Sequence, residues 1–85
     1  MRIEAKIVGF DKISERLAFE AGLPGRVLET VKAIACVPES DPDLVGSYPL
    51  DGRQVASIAA AAQVSLDPGR FDYFLEADEE EHDAG

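Results

Sequence analysis

Residues 64–76, VSLDPGRFDYFLE, hold the densest group of aromatic side chains in the chain and its clearest strand pattern. Phe71, Tyr73 and Leu75 alternate with Asp72, Phe74 and Glu76, the period of two expected where one face of a strand is buried. Asp67-Pro68-Gly69 precedes it with a side chain that can bond its own backbone, a fixed φ and a residue tolerant of positive φ, so the chain turns as the strand begins. Phe71, Tyr73 and Leu75 are assigned to the core. Phe74 then lies on the opposite face with Asp72 and Glu76, a large aromatic between carboxylates. It is either a contact residue for another protein or an ordinary surface aromatic packed across strands against Ala18 or the Lys6 stem.

Working back from this strand, Ile3, Ala5 and Ile7 alternate with Arg2, Glu4 and Lys6, giving a first strand that runs to about Phe10. Asp11-Lys12 breaks the run, and Leu17, Phe19 and Ala21 resume the alternation, so the economical connection is an antiparallel hairpin with Ile13 near its turn. Gly22-Leu23-Pro24 closes the second strand and opens a helix, where the missing N–H of Pro24 costs nothing. Val27, Leu28, Val31, Ile34 and Ala35 share one face of that helix, which is expected to end at Val37 before Pro38. Cys36, the single cysteine, reads as a small buried hydrophobe in this apolar pattern.

Residues 38–48, PESDPDLVGSY, form a long loop, either a binding loop or a connector. Beyond Tyr48-Pro49-Leu50, Asp51 and Gln54 have the spacing of a capping box for a second helix, whose buried stripe is Val55, Ile58, Ala59 and Ala62. The expected architecture is α+β: a three-stranded antiparallel or mixed sheet with two helices on one face, in the order strand, strand, helix, helix, strand. Pairing of the last strand with the first, as central strand, is preferred because the first has fewer acids facing water. Residues 1–77 are assigned to one domain and residues 78–85, rich in acids, to a disordered tail.

Eighty-five residues bury only about 60–65% of their unfolded surface, which leaves little room for a deep active site. The net charge is −9, and its distribution is uneven: residues 1–40 carry six basic and six acidic groups, residues 41–85 two basic and eleven acidic. That field repels nucleic acid and anionic lipid and would steer in a basic protein. The unpaired cysteine suits a cytoplasmic location, and no apolar run reaches the 18 or so residues of a membrane span.

Catalytic constellations are missing from the sequence. His82, the only histidine, lies among acids in the tail, the serines have no base to draw on, and the glycine spacing fits neither a phosphate loop nor a dinucleotide fingerprint. Asp72 and Glu76 lie about 13 Å apart along one strand face, too far to act as a pair. No cofactor or metal is expected, and the chain is read as non-enzymatic.

The ending of the first strand at Phe10-Asp11-Lys12, Leu23-Pro24 before the helix, the Asp-Pro loop, Tyr48-Pro49-Leu50, Gln54 and the close Asp72-Tyr73-Phe74-Leu75-Glu76 together resemble a bacterial family of small proteins with a domain of unknown function, over residues 3–76. The resemblance implies an α+β domain of this size and no known enzymatic activity. Small acidic proteins of this kind are often similar to immunity proteins encoded near toxins. The expected function is therefore binding to a basic protein, a toxin among the candidates, through Asp41, Asp43, Tyr48, Asp72, Phe74 and Glu76, an aromatic anchor inside a carboxylate rim. The alternative is a homo-oligomeric accessory domain, a homodimer through sheet edges or through Phe74.

Overall fold

The computed structural model describes residues 4–41 and 44–77. Strands β1 (Ala5–Asp11) and β2 (Leu17–Gly22) form the expected antiparallel hairpin, and β4 (Phe71–Ala77) pairs antiparallel with the other side of β1. The first strand is thus interior, as its sparse acids suggested. One part of the sequence reading needs correction: the sheet has four strands, not three, in the order β2-β1-β4-β3 and antiparallel throughout. The addition is β3, Tyr48–Leu50, paired with β4. Three residues are too few to show alternation, and a central proline argues against any strand except one at an edge, which is where Pro49 sits.

Asp11 closes the hairpin. Its Oδ1 accepts from the N–H groups of Ile13 (2.9 Å) and Ser14 (3.0 Å), while Glu15 takes a left-handed φ of 63° to bring the chain back. Ile13, at the tip, is 94% exposed. Ala18 has no partner in β1, because Gly9 opposes Phe19 and Phe10 opposes Leu17, so β2 carries a bulge there.

A 3₁₀ turn (Gly25–Val27) leads from Pro24 into α1 (Leu28–Ile34). The helix is shorter than expected. The N–H of Val37 bonds to the carbonyl of Lys32 (3.0 Å) and that of Cys36 to Ala33 (3.2 Å), the paired bonds of a Schellman ending, with Cys36 at φ 60° in the place glycine usually takes. This corrects the reading of Cys36 as buried. The left-handed residue leaves the helical stripe, and the thiol is exposed.

The capping box forms as the spacing predicts. Asp51 accepts from the Gln54 N–H and Gln54 Oε1 from the Asp51 N–H, both at 2.8 Å, at the start of α2 (Gly52–Ala62). Gln54 also donates through Nε2 to the carbonyl of Ile34 (3.0 Å), tying the start of one helix to the end of the other. Val27, Val31 and Ala35 pack with Val55, Ile58 and Ala62 against Ala5, Ile7, Tyr73 and Leu75, which share one face of the sheet. Among the described residues no helix is long and apolar enough to cross a membrane. The expected disordered tail, residues 78–85, lies outside the described residues.

Candidate functional site

Both helices lie on one side of the sheet, and no described helix or strand covers the other face. Phe74 lies there, as its position on the strand predicts, half-buried and edge-on to Phe10 of β1 with ring centroids 5.7 Å apart. Val8 stands directly opposite Phe74 in register and is only 4% exposed although it faces away from the helices. Pro49 of β3 lies opposite Phe74 on its other flank. The open face therefore has a small apolar centre of its own, made by three strands.

Asp72 and Glu76 flank that centre on β4. Lys12 Nζ donates to Asp72 Oδ1 (2.5 Å), Ser47 Oγ donates to Glu76 Oε2 (2.8 Å), and Lys6 pairs with Glu20 across β1 and β2 at 2.7 Å. These bonds are exposed, and each stabilises the fold by little. Asp72 stays exposed and Glu76 half-buried.

Asp41 and Tyr48 occupy a different part of the molecule. Tyr48 lies opposite Leu75 in register and so on the helix side of the sheet, where its hydroxyl donates to Asp41 Oδ2. Asp41 also accepts from the N–H groups of Val45 (2.8 Å) and Gly46 (2.9 Å). The 38–48 loop is further pinned by Leu44, 1% exposed within the core despite a left-handed φ of 54°. Of the six residues selected from the sequence, the fold thus brings Asp72, Phe74 and Glu76 together on the open face and pairs Asp41 with Tyr48 elsewhere. Asp43 lies outside the described residues. Phe10, Val8 and Pro49 were missed. The first two carried a signal: the alternation that buries Ala5 and Ile7 places Val8 and Phe10 on the open side.

The Tyr48 hydroxyl first, then the N–H groups of Gly46 and Val45, hold the Asp41 carboxyl below its ordinary value of 3.8. The same bond pushes the Tyr48 phenol above its ordinary 10.0. A depressed carboxyl contributes stability above its unfolded value that is lost as pH falls through the folded one. A raised phenol contributes stability below its unfolded value that is lost as pH rises through the folded one. The loop contact is accordingly expected to be complete between 3.8 and 10.0 and to weaken outside that window. Amide exchange at Val45 and Gly46 measures this directly. Fast, pH-independent opening in the parent chain, matching that of Asp41→Asn, would show that the bonds do not hold the loop.

Among the described residues no group of three or more His, Cys, Asp or Glu side chains could hold a metal ion. The open face presents aromatic edges, a proline and carboxylates.

A four-stranded antiparallel sheet with two helices on one face and a small apolar centre on the other defines a small α+β domain. The chain belongs to the family described as a domain of unknown function, DUF7683, whose model matches residues 4–76. No curated protein matches the chain. No solved structure matches it either.

Proposed function

We propose that this domain is a non-enzymatic protein-binding module, of immunity-protein or inhibitor type, that engages a basic protein through the open face of its sheet. The observation that carries the reading is the Phe10–Phe74 pair with Val8 and Pro49 on a face that no element of the described chain covers, bordered by Asp72 and Glu76. An aromatic centre in a polar rim is the arrangement in which a few residues carry most of the binding energy. The charge of −9 adds long-range attraction for a basic surface. The sheet edges are less suited to pairing. A bulge at Ala18 interrupts β2, and β3 is three residues long with Pro49 at its centre, both features that discourage strand addition.

The test is capture from lysate of the source cell on immobilised chain, at low and high salt, with mass spectrometry of the eluate. A basic protein retained at low salt and released by high salt is expected. Phe74→Ala is expected to weaken its binding about tenfold or more, the scale of an aromatic anchor. Removal of residues 78–85 should matter less. Equal affinity of Phe74→Ala and the parent would overturn the assignment of this face.

A further inference from the structure

At one end of the open face a groove of about 470 Å³ runs between β1, β4 and β3. Phe10, Phe74 and Pro49 supply its apolar walls, and the charged side chains among its described lining residues, Asp11, Glu15 and Asp72, are all carboxylates. Aromatic surface with anionic groups at its border is the chemistry that recognises a cation carried on an apolar stem.

Two contacts within the chain show the same kinds of pairing, one on the helix side of the sheet and one at the groove. On the helix side, the guanidinium of Arg70 lies over the Phe71 ring, 5.4 Å from its centroid. Lys12 places its ammonium on Asp72 at the groove's border, where both side chains remain substantially exposed, at 43% and 57%. A lysine is a single point of charge on a flexible stem. A guanidinium in the same position can take both carboxylate oxygens while its flat face rests on an aromatic ring.

We propose that this groove seats an arginine side chain presented by the basic partner, its guanidinium against Phe10 and Phe74 and on the Asp72 carboxylate in place of Lys12. The inference rests on the reading that the open face meets a basic protein, and it names the side chain that face selects. Asp11 is engaged by the N–H groups of Ile13 and Ser14 and contributes negative field. Asp72 is the carboxylate an incoming guanidinium reaches by exchanging one exposed ion pair for another.

The probe is acetyl-Gly-Arg-Gly-amide, titrated into ¹⁵N-labelled full-length chain, with the lysine and citrulline analogues as controls. Saturable amide shifts centred on Phe10, Asp72 and Phe74 are expected with the arginine probe. The lysine analogue should bind more weakly, and citrulline, which has nearly the same shape without the charge, should give none. Asp72→Asn should weaken the arginine probe about fivefold or more. Lys12→Met, which removes the internal competitor, should strengthen it about two- to fivefold.

Shifts equal for all three probes, shifts spread over acids away from the groove, or an Asp72→Asn chain that binds as the parent does would overturn the proposal. The two readings fail separately. If the arginine probe does not saturate the groove while Phe74→Ala still releases the captured basic protein, the arginine site falls and the open-face reading stands. If the probe saturates the groove while Phe74→Ala leaves capture unchanged, the arginine site stands and the open-face reading falls.

Discussion

Leu75→Ala is expected to lower the unfolding free energy by about 2–5 kcal/mol, the range for truncating a buried leucine where the site cannot collapse. Leu75 is fully buried in β4, opposite Ile7 on one side and Tyr48 on the other. It belongs to the same cluster as Val31, Leu44, Val55 and Ile58, so the void would open where sheet, helices and loop meet. Domains of this size have only about 5–10 kcal/mol in total, and the loss would consume a large part of it. Urea unfolding should show a much lower midpoint with an unchanged slope. A loss below about 1 kcal/mol would mean that the elements close around the gap, and that the core tolerates rearrangement at its centre.

Gly9→Ala is expected to cost about 1–3 kcal/mol, although it adds a single methyl group to a strand. A β-carbon at Gly9 would lie 2.8 Å from Tyr73 Cε1, 3.1 Å from Cδ1 and 3.2 Å from the β-carbon of Phe19. Tyr73 cannot readily give way. It is 3% exposed, its hydroxyl accepts from the N–H of Asp67 at 2.8 Å, and its ring stands edge-on to Phe19 at 5.7 Å and to Phe71 at 6.0 Å. The glycine is thus required by the close approach of a ring, at an ordinary extended backbone. The expected consequence is a fall in Tm on the order of 5–20 °C. An unchanged Tm would show that the ring can slide across β1 at no cost.

Both substitutions act on the face that the helices cover, opposite to the side chains of Phe10 and Phe74. Phe74 lies outside that buried cluster, so a chain carrying Phe74→Ala is expected to stay folded, as urea unfolding will check, while it loses partner affinity. The recognition test thereby separates from a stability effect.

The alternation in residues 71–76 was enough to place Tyr73 and Leu75 in the core and Phe74 outside it, because side chains on a strand have no choice but to alternate. The capping box at Asp51 and Gln54 was equally legible, since it depends on neighbours a few residues away, whereas Pro24, expected in the first helical turn, has extended backbone and precedes a 3₁₀ turn instead. Immunity-type binding drew instead on charge and resemblance, and the choice of contact residues on the aromatic and acidic side chains of the second half. The structure redistributed that list, separating Asp41 and Tyr48 from Asp72, Phe74 and Glu76 by the thickness of the sheet.

Local pattern by itself determined the hairpin, the two helices, the buried face of the last strand and the uneven charge, because each is set by spacings within one segment. Only the tertiary structure decided that Tyr48–Leu50 is a strand, that Leu44 plugs the core and that Cys36 turns outward. It also decided that Phe10 and Phe74, 64 positions apart in the chain, form one surface. The reason is physical. A three-residue strand exists through the hydrogen bonds of its neighbour, a left-handed loop residue is held by the packing around it, and a surface patch joins residues that only pairing of distant strands brings within reach.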